Sequence, residues 1–252
     1  MSDPDGEITE DLFLNGKLRL RQPKRGHRAG HDAILLAAAT PARASDRIAD
    51  FGAGVGAAGL GVATRVSGIE CVLVEIDDAL AELARANANL NSLKAEVRVL
   101  DVTAAAEVFA AAGLGPDSVD VVLMNPPFND KTRHQSSPDA QRQMAHVAIQ
   151  DTLARWVHAA RRVLKPGGSL TLIWRAEGLG DVLAALDRGF GDIKVLPVHP
   201  DAAKPAIRVL VSATKGSGAP MSICRGLLLN EKDGSASADA QAALSGKAIA
   251  LV

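Results

Sequence analysis

The chain has 252 residues, 47% of them hydrophobic and 23% charged, with a formal net charge of −1. Those totals suit one α/β domain of ordinary size, and a charge so near zero makes no whole-protein argument for or against nucleic acid. Cys71 and Cys224, the two cysteines, stand apart without CxxC spacing, which disfavours a disulfide framework or structural zinc and fits a reducing compartment.

No N-terminal apolar leader or membrane-length apolar run is present, so the expectation is a soluble cytoplasmic protein with no membrane partner. Residues 1–11 are acidic, polar and expected to fray. Leu12-Phe13-Leu14-Asn15-Gly16-Lys17-Leu18-Arg19-Leu20 predicts a hairpin, because Asn-Gly supplies both left-handed positions of a type I′ turn. Lys17, Arg19, Arg21, Lys24, Arg25 and Arg28 then fall in a stretch without an acid. Such a run is either a phosphate-contact surface or a solvated face. Asp32 reads as the N-cap of a helix over 33–39, which Pro41 closes. Residues 1–40 are thus expected to form an extension packed on a core domain of residues 41–252.

Within that domain the spacing predicts strands over 47–51, 71–75, 96–100, 119–124 and 169–174, alternating with helices, and an antiparallel closing pair over 193–198 and 207–214. Residues 129–150 hold Lys131, Arg133, His134, Arg142 and His146 with little apolar content, an insertion at the mouth of the sheet. Asp151 reads as the cap of a helix running to Leu164. The expected fold is an α/β, Rossmann-like, seven-stranded sheet, mostly parallel with an antiparallel closing strand and an N-terminal β-hairpin.

The chemistry concentrates at strand ends, where open α/β sheets bind ligands. Asp50 precedes Gly52, Gly54 and Gly56 in the turn after the first strand. Glycines allow close backbone approach. A carboxylate with GxGxG suits a cationic amine better than the phosphate served by GxGxxG. Glu75 ends the second strand, where an acid takes ribose hydroxyls in nucleoside-binding sheets. Asp101 ends the third, able to accept from an adenine amine or to cap a helix. Asn125-Pro126-Pro127-Phe128 ends the fourth: rigid carbonyls, a side-chain amide and an aromatic face make a site for a planar amino-bearing group. A strand-ending turn is the other reading of those four residues.

Taken in order, these four strand ends resemble the class I methyltransferases that use S-adenosylmethionine. The resemblance covers roughly residues 12–214. The Asn-Pro-Pro-Phe form resembles their amino-methylating branch. Leu18-Arg19-Leu20-Arg21-Gln22, Gly30-His31-Asp32-Ala33-Ile34-Leu35-Leu36, His199-Pro200 and Lys204-Pro205 are similar to the small methyltransferase family of bacterial tRNA adenine-N6 enzymes, the valine-tRNA position-37 type.

The resemblance implies that Asp50, Gly52, Gly54 and Gly56 surround the methionyl part of the cofactor, with Asp32 closing that side. Glu75 takes the ribose and Asp101 the adenine, with Ile76 and Val102 beside them. Asn125, which also borders the cofactor, and Pro126 hold the target amine, flanked by Pro127 and with Phe128 stacked on its ring. Lys17, Arg19, Arg21, Lys24, Arg25, Arg28, Lys131 and Arg133 contact RNA, expected to be tRNA. No metal is expected, and the oligomeric state stays open. The competing substrates are an RNA guanine N2 and a protein glutamine N5, and the competing classes are a cofactor- or RNA-binding protein without catalysis and a NAD-dependent oxidoreductase, which GxGxG in place of GxGxxG disfavours.

Overall fold

The computed structural model describes residues 8–25, 28–127 and 138–251, with the backbone alone over 138–149. Phe128, Lys131 and Arg133 therefore lie outside the described residues, and His134 with them. The chain opens with β1 (Ile8–Phe13) and β2 (Leu18–Pro23), paired antiparallel with Phe13 opposite Leu18. Asn15 at φ 55° and Gly16 at φ 82° supply the two expected left-handed positions, and Lys17 N donates to Leu14 O at 3.3 Å. Leu14 is also left-handed (φ 53°), so the ladder stops one pair short and Lys17 sits in the turn instead of on the strand face. Leu18 and Leu20 point inward and are fully buried. Each such burial stabilises by about 1.5–3 kcal/mol and anchors the hairpin to the core.

Helix α1 (His31–Ala39) starts from Gly30; Asp32 lies in its first turn and makes no cap bond. The cap thus lies two residues before the expected Asp32: Gly30 has the extended conformation a cap needs, leaving the Asp32 carboxylate available elsewhere. Then follow β3 (Arg47–Phe51), α2 (Ala57–Arg65), β4 (Glu70–Glu75), α3 (Asp78–Leu90), β5 (Ala95–Val99), α4 (Ala106–Ala111) and β6 (Val119–Met124). Next come α5 (Pro138–Val163), β7 (Leu164–Arg175), α6 (Leu179–Leu186), β8 (Phe190–His199) and β9 (Arg208–Lys215). The chain closes with β10 (Ser222–Ile223), β11 (Leu227–Leu228) and α7 (Ala238–Leu244).

The main sheet runs β10-β8-β9-β7-β6-β3-β4-β5, with β11 also on β8. Strands β5, β4, β3, β6 and β7 are parallel; β9 is antiparallel to both β7 and β8. The expected seven strands are all there, and the two-residue strands β10 and β11 add to the β8 edge. The winding reverses between β3 and β6, the switch point where such sheets open a crevice.

Two apolar clusters cover the sheet faces. One joins the hairpin leucines, α1 and α2; the other joins Phe51, Phe109, Trp156 and Trp174. Helix α1 is buried on every side from Ile34 to Ala39. Helix α2 packs on it, α7 packs on it too, and Ile249 N donates to Ala38 O at 2.8 Å.

Helix α5 begins at Pro138, well before the expected start at Asp151. Proline suits a first helical position, and the polar residues that follow hide the 3.6 period. Asp151 is thus mid-helix, where it pairs with Arg155 at 2.9 Å. Asp101 is likewise no helix cap: α4 starts from Ala105, while Asp101 Oδ1 accepts from Thr103 N at 2.7 Å and Thr103 Oγ1 at 2.8 Å.

Candidate active site

The parallel register puts Phe51 beside Val74 on one side and Met124 on the other, and Glu75 beside Val99. The residues just past those ends therefore share one crevice. Gly52, Gly54 and Gly56 hold φ values of 69°, 56° and 89°, a path that side-chain-bearing residues resist. Gly52 N and Ala53 N both donate to Val74 O at 2.9 Å, folding the turn over β4. Gly54 N donates to Glu75 Oε2 at 2.7 Å, while Ile76 N and Asp77 N donate to Glu75 Oε1 at 2.9 and 3.0 Å. Three of the roughly four acceptor positions on that carboxylate are used, leaving one on Oε2.

Asp50 is 2% exposed, and its Oδ2 accepts from Gly59 N at 2.7 Å in the first turn of α2. Burial pushes its carboxyl up to about 7, the nearby Glu75 charge adds to this, and the Gly59 N–H opposes it. The folded value exceeds the unfolded one, so the native state keeps the proton between about pH 4 and 7. This group's contribution to stability accordingly falls as pH rises through that window.

A cavity of about 360 Å³ opens above the turn, lined by Asp50, Gly52, Gly54 and Asn125 and closed by Arg28 and Asp32. Asp32 Oδ2 accepts from Arg208 Nε at 2.9 Å, tying α1 to the start of β9. Asn125 is half-buried, and its Oδ1 is shielded from solvent with no hydrogen-bond donor among the described residues. A buried acceptor left unpaired costs about 1–3 kcal/mol, so an acceptor at this place on a cavity wall can take a donor that enters the cavity. Pro126 is buried and Pro127 exposed.

Leu100 N donates to Glu75 O at 2.9 Å, bringing Asp101 alongside Ile76. Ile76 is 63% exposed and Val102 is buried, so an apolar surface and an acid lie together beyond Glu75. Gly56 starts α2 and does not line the cavity; a Cβ there would press on Leu60 and Leu73.

The basic run is acid-free along the chain but not in space. Arg19 and Arg21 stand on the outer face of β2, and both face Glu10, at 3.6 and 3.2 Å. Arg28 binds Asp11 at 2.9 Å and Pro23 O at 2.8 Å. Lys24 and Arg25 are exposed in the following turn.

Sequence reasoning missed two asparagines at the end of α3, Asn87 in its last turn and Asn91 as its C-cap. Asn87 is fully buried and Asn91 partly so, and both bond the backbone of β2. An amide at an inward helical position was the available signal. Among the described residues no group of three or more His, Cys, Asp or Glu is arranged to hold a metal ion, and no helix is long and apolar enough to cross a membrane.

The sheet order and the glycine turn after the central strand are those of the class I methyltransferases, whose methyl donor is S-adenosylmethionine, and the family match places the chain among them. Residues 30–199 match the methyltransferase small domain model, and the chain belongs to that family. It is similar to the tRNA1(Val) (adenine(37)-N6)-methyltransferase of Tolumonas auensis, 31% identical over 178 residues, 69% of this chain and 70% of the relative. A release factor glutamine methyltransferase from Chlorobaculum tepidum is 26% identical over 192 residues, 73% of this chain and 65% of that one. A crystal structure of a predicted O-methyltransferase from Agrobacterium tumefaciens superposes with a TM-score of 0.73 at 30% identity, covering 87% of this chain and 98% of that one.

Proposed function

We propose that this methyltransferase acts on an exocyclic nucleobase amine in RNA, namely adenine N6 in a tRNA. The observation that carries the reading is the buried Asn125 Oδ1, without a donor among the described residues, on the wall of the cavity that also holds Asp50 and the glycine turn.

The residues present fit S-adenosylmethionine, which supplies an electrophilic methyl on a sulfonium. Asp50 offers a buried carboxylate to its amine. The free position on Glu75 Oε2 accepts a ribose hydroxyl, and Ile76 gives the adenine an apolar seat beside Asp101 and Val102. Asp32, held by Arg208, borders the methionyl side. Asn125 Oδ1 and the Pro126 carbonyl accept the two hydrogens of the target amine. That grip draws the nitrogen towards a tetrahedral form, with its lone pair released from the ring and aimed at the methyl. Rigid placement supplies the rate enhancement, and no strong general base is required. Phe128 adds the ring contact in this reading, and Pro127 fixes its approach.

Asp50 gives a pH signature. A cation prefers the ionised carboxylate, so apparent cofactor affinity should rise about tenfold per pH unit below 7 and level off above it. It should fall again once the ligand amine deprotonates, near 7.7–8.0 for an ordinary α-amino group, roughly. Calorimetry in buffers of different ionisation enthalpy should show proton release on binding at pH 6.5. Equal heats and a flat profile would remove Asp50 from the amine site.

RNA contact is assigned to the outer face of the hairpin, Arg19 and Arg21 with Lys17 in the turn, and to Lys24, Arg25, Arg28, Lys131 and Arg133. Replacing Lys17, Arg19 and Arg21 by Ala should weaken RNA binding and flatten its log–log salt slope by about one unit per lost contact. Cofactor affinity should not change. Equal slopes for wild type and variant would favour the second reading, a glutamine amide in a protein. That reading draws on the pairing of Arg19 and Arg21 with Glu10 and of Arg28 with Asp11, which offsets the basic charge.

A further inference from the structure

Asn87 in the last turn of α3 and Asn91, its C-cap, lie one helical turn apart and address alternate residues of β2. Asn91 Oδ1 accepts from Arg19 N at 2.8 Å, and its Nδ2 donates to Arg19 O at 2.7 Å. Asn87 Oδ1 accepts from Arg21 N at 2.7 Å, and its Nδ2 donates to Arg21 O at 3.0 Å. Each side-chain amide thus pairs with one backbone residue as a neighbouring strand would. The pitches agree: four helical residues advance about 6.0 Å and two strand residues about 6.6–6.8 Å. Only an amide carries the acceptor and the donors this needs on one planar group.

The two asparagines differ in one respect. Asn87 Nδ2 also donates to Val55 O at 3.0 Å, inside the turn between Gly54 and Gly56. Asn91 spends its second donor on Asn87 O at 2.7 Å, within its own helix. Asn87 is fully buried, so its amide cannot exchange these partners for water. The backbone under Arg21 and the backbone of the glycine turn are therefore held by a single nitrogen.

We propose that Asn87 is a positioning residue that couples the hairpin to the glycine turn, so that cofactor and substrate strand bind with positive cooperativity. The proposal rests on the reading of the turn as the cofactor seat and of the hairpin as the substrate surface. Ordering the turn around a ligand fixes Val55 O, which fixes the Asn87 amide, which fixes β2 at Arg21. The hairpin is then already in place when the substrate strand arrives. By linkage, the strand raises cofactor affinity by the same factor that the cofactor raises strand affinity.

Hydrogen exchange tests this with the full-length protein and S-adenosylhomocysteine as the probe. In wild type, saturating probe should slow exchange over β2 about tenfold, more than over β8 at the far side of the sheet. Asn91→Ala should raise basal exchange in β2 yet keep the response to probe, and bind the probe within about twofold of wild type. Asn87→Ser should fold, bind the probe about tenfold more weakly, and show no β2 response beyond that of β8. A wild-type β2 response no larger than that of β8, or an Asn87→Ser response equal to wild type, would overturn the coupling. Should Asn87→Ser not fold, the wild-type comparison decides alone. Failure of wild type to bind the probe would strike the cofactor reading instead, which keeps the two outcomes separate.

Discussion

Asn125→Ala is expected to bind S-adenosylmethionine near normally and to lose turnover by about 10²–10³-fold or more, the loss seen when one preorganised polar group is removed from a reacting centre. Met124 pairs in register with Phe51, so Asn125 begins where the sheet ends, and the strand beneath it cannot shift without breaking that ladder. Its Oδ1 has no donor among the described residues, and in the proposed role the substrate amine supplies the hydrogen. Alanine removes the acceptor without disturbing any hydrogen bond the side-chain oxygen makes among the described residues. Asn125→Asp keeps an acceptor in the same place and should retain more turnover than Asn125→Ala. Single-turnover kinetics on the RNA substrate, with cofactor affinity measured in parallel, would separate the outcomes. Near-normal turnover in Asn125→Ala would end the assignment.

Gly52→Ala should be the most damaging change at the cofactor side. A Cβ on Gly52 would lie 2.4 Å from Trp156 Cη2, and the position already requires φ +69°. Trp156 is buried beneath the turn in the cluster around Phe51, so its ring has little room to retreat. Left-handed strain and overpacking together should lower stability by about 2–4 kcal/mol. The turn should shift outward into the cavity and cofactor binding should be lost. Denaturant unfolding of Gly52→Ala, alone and with Trp156→Leu, apportions the effect: the second change should recover the steric part and leave the backbone part. A single variant within about 0.5 kcal/mol of wild type would show that the turn is not built on that contact.

The elements that set the crevice were legible because their signals are local. Strands β3 and β6 begin and end where their apolar runs do, since glycine follows one and Asn-Pro the other. What escaped depended on partners distant in sequence. Glu10 and Asp11 lie outside the hairpin as read from Leu12, yet the register places Glu10 opposite Arg21 and Leu12 opposite Arg19, so the acids meet the arginines. Asn87 falls at an inward helical spacing, and only the docked hairpin shows why an amide stands there. Strands β10 and β11 are too short for any alternation to register. Asp32 stands before an apolar run, which is a cap signal, yet its carboxylate answers Arg208 at 2.9 Å, from a strand near the other end of the chain.

The all-round burial of α1 has a consequence for synthesis. Part of its cover, α7 and the segment at Ile249, is encoded roughly 200 residues later. At about 5–20 residues per second, that segment leaves the ribosome about 10–40 s after the helix it protects. During that interval Ile34, Leu35 and Leu36 form a nascent apolar rod without its full jacket.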